Sequence, residues 1–175
     1  MAISIATSGD DILTGSKGAD TIDGGAGADI INSGAGDDVI DGGAGDDKLN
    51  AGAGDDVLEV YLDNMTGAVG GEINGIKNGG LGNDTLDGGA GIDFMVGGAG
   101  DDALNGGLGA DKMTGGAGVD TVDYSASMAG ITLTVGGGAG VGGDAAGDIV
   151  TNIGIVIGTG FADIINAGAF ISTLF

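Results

Sequence analysis

Eleven aspartates recur at nine-residue intervals, and they are the side chains of this chain best suited to chemistry. They form two unbroken tracts: Asp11, Asp20, Asp29, Asp38, Asp47 and Asp56, then Asp84, Asp93, Asp102, Asp111 and Asp120. A Gly stands two residues before each Asp, and an apolar residue stands two residues after it. Because carboxylates are hard oxygen ligands, a periodic row of them favours the binding of Ca²⁺ or Mg²⁺.

The composition excludes most other kinds of site. The 175 residues include no His and no Cys, which excludes Ser–His and Cys–His nucleophiles, zinc held by His or thiolate, and disulfides. Lys and Arg total 4 against 26 Asp and Glu, a net charge of −22, which argues against nucleic acid and anionic membranes as partners. No apolar run reaches the roughly 20 residues that a membrane span needs.

The nonapeptide also predicts the elements that position the carboxylates. In the repeat Gly24–Asn32, a Gly-rich stretch reverses the chain, and Ile30–Asn32 forms a short strand whose middle side chain points inward. Two repeats make one coil of 18 residues, and stacked coils form two short parallel sheets. The sequence therefore predicts an all-β fold, a parallel β-roll with calcium-binding turns and a thin apolar interior.

Stacking brings equivalent turns to about 4.8 Å from one another. Two carboxylates at that distance repel by roughly 3–4 kcal/mol at an effective dielectric constant of 20. A divalent cation between the turns would remove this repulsion, and a flexible oxygen shell suits Ca²⁺ better than Mg²⁺. We expect seven interior calcium sites, at the pairs Asp11/Asp29, Asp20/Asp38, Asp29/Asp47, Asp38/Asp56, Asp84/Asp102, Asp93/Asp111 and Asp102/Asp120.

Backbone carbonyls of the turns must complete the coordination shell, because two carboxylates supply too few oxygens. The predicted donors are Gly18, Gly25, Gly27, Gly34, Gly36, Gly43, Gly45, Gly52, Gly54, Gly80, Gly82, Gly89, Gly91, Gly98, Gly100, Gly107, Gly109, Gly116 and Gly118. The fifth repeat position is Asp in some repeats and Ala or Ile in others, as at Asp37, Ala28 and Ile92. We interpret the aspartates at this position as surface carboxylates.

Repeats such as Gly24–Asn32 and Gly97–Asn105 read G-G-x-G-x-D-x-U-x, where U is apolar, and they resemble the RTX (hemolysin-type) calcium-binding nonapeptide family. The resemblance covers residues 6–59 and 79–123. It implies a right-handed roll and export through a type I secretion channel without an N-terminal signal.

The interruption of the repeat divides the chain into four parts. Residues 6–59 form the first tract, 60–78 an insert, 79–123 the second tract, and 124–175 a β-rich connector and terminal segment in which Asp163 and Ile165 begin a degenerate repeat. The insert is one residue longer than two repeats, so we expect the rolls either to kink there or to be separated by an excursion.

These observations favour a non-catalytic, extracellular module that folds on binding calcium and supports the secretion or stability of a secreted protein. The repeat explains nearly every Asp, which leaves no carboxylate pair for acid–base catalysis. The alternatives are a structural, adhesive or surface-layer spacer, and a fragment of a larger RTX enzyme, toxin or adhesin. The expected partners are calcium ions and the type I secretion machinery. The sequence leaves the oligomeric state open.

Overall fold

A computed structural model of the chain describes residues 3–5, 7–43, 45, 47–59, 76–166 and 173–174. Within these ranges the backbone forms short strands and one 3-10 helix, Gly143–Ala145. The strands of the repeat tracts are β1 Ile3–Ile5, β2 Ile12–Thr14, β3 Thr21–Asp23, β4 Ile30–Ala35, β5 Val39–Asp41, β6 Lys48–Ala53, β7 Val57–Glu59, β8 Ile76–Leu81, β9 Thr85–Asp87, β10 Ala90–Gly91, β11 Phe94–Ala99, β12 Ala103–Asn105, β13 Leu108–Gly109, β14 Lys112–Ala117 and β15 Thr121–Asp123. The later strands are β16 Thr132–Thr134, β17 Ile149–Thr151, β18 Ile155–Ile157, β19 Ile164–Asn166 and β20 Thr173–Leu174.

The strands alternate between two parallel sheets, because each coil contributes one strand to each sheet. One sheet has nine strands in the order β1-β3-β5-β7-β9-β12-β15-β18-β20, and the other has seven in the order β17-β14-β11-β8-β6-β4-β2. Within each repeat tract the paired residues are 18 apart, as in Ile22↔Ile40 and Ile31↔Leu49. The predicted parallel β-roll is confirmed.

The interior of the roll is a thin layer built from the apolar column of the repeat. Its members are buried or nearly so: Leu13, Ile22, Ile31, Ile40, Leu49, Leu58, Leu86, Met95, Leu104, Met113 and Val122. Strand alternation places their neighbours outside, as in β3, where Ile22 is buried between exposed Thr21 and Asp23. Lys77 occupies the corresponding place in β8.

The two tracts continue one another across the insert. Strand β6 pairs with β8 in register, Lys48↔Ile76, and β7 pairs with β9, Val57↔Thr85. The step here is 28 residues instead of 18, so this coil is ten residues longer than the coils within each tract. The alternation of residues 58–62 predicts a longer strand and residues 66–75 are predicted to form a loop, but residues 60–75 lie outside the described residues, which include β7 only as far as Glu59.

The segment after the second tract adds strands to the same roll and also forms a separate pair of strands, the first of which, β16, precedes β17. Strands β17 and β18 pair with β14 and β15, with Val150 beside Met113 and Val156 beside Val122. The connector adds a coil to this roll because Val150 and Val156 fill the interior column. Strands β16 and β19 then pair separately. Among the described residues, the structure contains no helix with the length and apolarity that a membrane crossing needs.

Candidate metal centre

The aspartates of the repeat form two columns, one at the start of each sheet's strands. Column one precedes strands of the nine-stranded sheet and consists of Asp20, Asp38, Asp56, Asp84, Asp102 and Asp120. Column two precedes strands of the seven-stranded sheet and consists of Asp11, Asp29, Asp47, Asp93, Asp111 and Asp148. The parallel register holds the members of each column one above another.

A repeated hydrogen bond joins neighbouring members of a column. In each of the seven predicted pairs, Oδ1 of the later Asp accepts the backbone N–H of the earlier Asp at 2.7–3.0 Å. The bond between Asp38 and Asp56 is typical, at 2.7 Å. The structure therefore brings together each pair of carboxylates that the spacing selected, with the same geometry at each step.

Two further pairs make the same contact, although the spacing did not select them. Oδ1 of Asp84 accepts the N–H of Asp56 at 2.8 Å across the insert, and Oδ1 of Asp148 accepts that of Asp111 at 2.8 Å. Asp148 lies outside the repeat motif. Its sequence signal is Val150, which follows it by two residues, as the apolar residue does in each repeat.

Several of these carboxylates have a second oxygen that is buried and lacks a hydrogen-bond donor among the described residues. Column members from Asp20 to Asp148 are at most 2% exposed. The Oδ2 atoms without a hydrogen-bond partner among the described residues include those of Asp29, Asp38, Asp56, Asp84, Asp102, Asp111 and Asp120. Burying an unpaired carboxylate oxygen is costly unless a cation or a donor compensates it. A positive charge inside the turns would therefore stabilise the columns.

Carbonyl oxygens of the turns lie close to these Oδ2 atoms. A Cβ added at Gly24 would lie 2.8 Å from Oδ2 of Asp29 and 2.5 Å from the carbonyl oxygen of Gly42 in the next coil. The same pair of oxygens recurs at Gly15, Gly79, Gly88 and Gly115. At all of these glycines except Gly115, the carbonyl belongs to the first position of a repeat, whereas the predicted donors are at positions two and four. At Gly115 the carbonyl is that of Asn152, which lies outside the repeats.

The predicted carbonyl donors adopt the backbone that only Gly adopts readily. All of them except Gly18 have a positive φ, for example 80° at Gly43. A Cβ at Gly43 would collide with the carbonyl oxygen of Gly25 in the preceding coil. This collision shows that the Gly25 carbonyl points toward the adjacent turn, in the space between coils.

The oxygens around each turn fit a calcium ion. The available atoms are carboxylate and backbone carbonyl oxygens, which are the ligands that Ca²⁺ accepts in flexible shells of about six to eight. Among the described residues, no three acidic side chains converge on one point. Any bound ion would therefore depend on carbonyl oxygens as well as on Oδ2 atoms.

Some turns at the ends of the columns supply their own donors. Oδ2 of Asp11 accepts from the backbone N–H and the hydroxyl of Thr7, and Oδ2 of Asp20 accepts from the N–H of Ser16. At the other end of column two, the Tyr124 hydroxyl donates to Oδ2 of Asp148 at 2.8 Å. A turn with an internal donor needs a cation less than a turn without one.

Burial raises the pKa of several column carboxyls. The pKa of Asp84 rises to about 6 and that of Asp111 to about 7, mainly through desolvation and further through neighbouring carboxylates. Desolvation also raises the pKa of Asp56, Asp102 and Asp120. Without a cation, the ionised form of these groups is thus disfavoured in the closed roll.

The fifth-position aspartates form a separate ladder on the exposed surface. Oδ1 of Asp37 accepts the N–H of Asp55 at 3.1 Å, and Oδ1 of Asp101 accepts that of Val119 at 2.8 Å. In this ladder the side chain of the earlier coil accepts from the backbone of the later coil, which is the reverse of the two columns. The predicted surface position is correct, but these residues also join the coils.

The repeats match one known family. The model of the RTX calcium-binding nonapeptide repeat matches four segments, residues 5–40, 29–58, 78–113 and 96–126, which together cover more than half of the chain. A search of curated proteins finds no match to the chain.

Proposed function

Because this chain belongs to the RTX calcium-binding nonapeptide repeat family, we propose that it is a non-catalytic module that closes into its roll when calcium binds between the turns. The family assigns calcium binding to the chain. The proposal adds that folding depends on the ion and takes place outside the cell.

The observation that carries the proposal is the run of buried Oδ2 atoms without donors in column one. From Asp38 through Asp56, Asp84 and Asp102 to Asp120, each step brings two such oxygens into adjacent turns. The thin interior offers little apolar burial to offset the repulsion between the carboxylates. The closed roll should therefore be unstable at neutral pH when no cation is present.

Calcium would supply the missing positive charge at these pockets. The side chains that would hold it are the column aspartates, together with carbonyl oxygens of the Gly turns. Because the pockets exist only when coils are stacked, the free energy of binding becomes free energy of folding. We propose ions at the seven predicted pairs, and the same geometry extends the proposal to Asp56/Asp84 and Asp111/Asp148.

Because the calcium concentration differs between the two sides of the cell envelope, calcium-dependent folding would depend on where the chain is. Extracellular calcium modules bind with dissociation constants of about 10⁻⁴–10⁻³ M, so the chain would stay unfolded at cytosolic calcium and fold outside. An unfolded chain suits export through a type I channel, and folding at the exit would prevent its return. The net charge of −22 keeps the calcium-free chain extended through self-repulsion.

A structural spacer is the second candidate, and the continuity of the sheets favours it. Nine strands of one sheet run through both tracts without a break in their order. At about 4.8 Å per strand step, such a stack forms a rod about 38 Å long. A rod stiffened by calcium could hold other parts of a larger protein apart, and this role is compatible with calcium-dependent folding.

Circular dichroism tests the proposed folding directly. We expect the β signal to be lost in calcium-free buffer at pH 7.5 and to return on addition of millimolar Ca²⁺, with equal Mg²⁺ as the control ion. A calcium-free sample that keeps its full β signal would contradict the proposal.

Two adjacent aspartates provide a matched test of the pockets. Asp102 belongs to column one, whereas Asp101 lies on the surface ladder, and each substitution removes one negative charge. We expect Asp102→Asn to bind at least one calcium ion fewer, counted by native mass spectrometry, and Asp101→Asn to bind the same number as the unmodified chain. Equal loss from both variants would show that net charge, and not the pocket, governs binding.

A further inference from the structure

Lys77 lies inside the roll, in the column that other coils fill with apolar side chains. In the seven-stranded sheet it pairs with Leu49 on one side and Met95 on the other. Its side chain is fully buried, at 0% exposure. The repeat pattern does not predict this position, because Lys77 falls in the insert, where the repeat is interrupted.

The ammonium group of Lys77 contacts the turn formed by residues 88–93. Nζ donates to Oδ1 of Asp93 at 2.8 Å and to the carbonyl oxygen of Gly88 at 3.2 Å. These acceptors are a carboxylate oxygen of a column Asp and a carbonyl oxygen of the first repeat position. In other turns, Oδ2 of the column Asp and a carbonyl of the same position lie close together. Lys77 thus contacts the same classes of oxygen that a calcium ion would use.

The coil of β8 also differs in sequence from the other coils of column two, where an aspartate directly precedes each strand. In sequence, the residue before β8 is Gly75, whereas the residue before β6 is Asp47. Column two therefore lacks one carboxylate at the coil of β8, and a divalent ion there would lose an anionic ligand.

A buried ammonium is retained only if a carboxylate and further hydrogen bonds compensate it. Asp93 and Gly88 meet that requirement. We propose that the Lys77 ammonium takes the place of the calcium ion between β8 and the turn 88–93, so that this step of the roll closes without metal. This inference rests on the proposed function, because it assigns one step of the same ladder to a side chain.

The location of ions in calcium-loaded crystals of the unmodified protein tests both proposals separately. We expect anomalous density for calcium at column-one pairs such as Asp38/Asp56, and Lys77 Nζ, without an ion, beside Oδ1 of Asp93. An ion bound to Asp93 Oδ1 and Gly88 O with Lys77 displaced would overturn this inference alone. A folded roll with no ion at any pair would instead overturn the proposed function.

A substitution provides a second, independent test in solution. Lys77→Met restores the residue type of Met95 and removes the charge, and Lys48→Met removes an exposed charge from the neighbouring strand as the control. We expect Lys77→Met to raise the calcium concentration at half-folding by about threefold or more, because Asp93 loses its buried partner. The Lys48→Met midpoint should not change.

An unchanged midpoint in Lys77→Met would overturn the inference. If Lys77→Met does not fold even at saturating calcium, Lys77→Arg separates charge from shape. Recovery of folding by Lys77→Arg would support a requirement for positive charge at this step. In the crystals of the unmodified protein, an ion bound to Asp93 Oδ1 would overturn the inference.

Discussion

Each column aspartate uses its two oxygens differently. Oδ1 of Asp56 accepts a backbone N–H from the neighbouring coil, while its Oδ2 is buried and has no donor in the part of the chain that the structure describes. The hydrogen bond to Oδ1 holds the coils in register. The buried Oδ2 needs a cation to compensate its negative charge. The nine-residue spacing predicts that the carboxylates meet. It does not predict this division, which depends on the direction of the backbone N–H in the folded turn.

The hydroxyl of Tyr124 should contribute to stability as the internal donor at the end of column two. Tyr124→Phe leaves Oδ2 of Asp148 buried without its 2.8 Å partner, which costs about 1–3 kcal/mol. We expect a lower free energy of unfolding by that amount in urea titrations at saturating calcium, with the number of bound ions unchanged. A variant as stable as the unmodified chain would show that this hydrogen bond is dispensable.

The raised pKa values of the column carboxyls predict how pH acts on the calcium-free chain. Asp84 and Asp111 have pKa values of about 6 and about 7 in the roll, compared with about 3.9 in an unfolded chain. Their contribution to stability is therefore complete below the unfolded value and is lost as pH rises through the folded values. In calcium-free buffer, circular dichroism should show more β structure at pH 5 than at pH 8. The same signal at both values would contradict this reading.

The turn and the strand are the elements that the sequence predicts best. Gly at fixed positions and an apolar residue after each Asp are enough to predict an 18-residue coil, and Ile22↔Ile40 pairs as expected. The greater length of β4 compared with β3 was not predictable, because the repeats that follow both strands have similar Gly-rich turns. Lys77 and Asp148 were missed because their neighbours do not follow the motif.

Two glycines of the turns allow a matched test of backbone conformation. Gly43 has a φ of 80°, and a Cβ there would collide with the carbonyl oxygen of Gly25, whereas a Cβ at Gly18 meets no atom within 4 Å. Gly43→Ala should lower the free energy of unfolding by more than the roughly 1–2 kcal/mol that a left-handed backbone costs alone, and should therefore raise the calcium midpoint of folding. Gly18→Ala should leave the calcium midpoint of folding unchanged, and equal effects of both would contradict the role of the turn.

At the scale of the molecule, the tracts form one structure although the repeat is interrupted between them. Asp56 and Asp84 make the standard column contact across the insert, and both sheets continue through it. The insert is one residue longer than two repeats, and this length is compatible with either a kink or an excursion. Both strand pairs that flank the insert stay in register, which the length of the insert alone could not predict.

Continuity of the sheets predicts one calcium-dependent transition for both tracts. Asp38→Asn alters the first tract and Asp102→Asn the second, and each should shift the whole transition, followed by circular dichroism during a calcium titration. The physical reason is that each coil gains its stability from contacts with the coils beside it. Two separate transitions, each sensitive to one of the variants, would show that the tracts fold independently.

A chain of nearly identical repeats can be wound with one coil laid on the wrong neighbour, because a regular column looks the same after every step. The buried Lys77 removes that ambiguity. Shifted by one coil, its ammonium would lose its contacts with Asp93 and Gly88. We therefore expect this pair of opposite charges to disfavour stacks in which the coils are offset, so that the least repetitive coil aligns the repetitive ones.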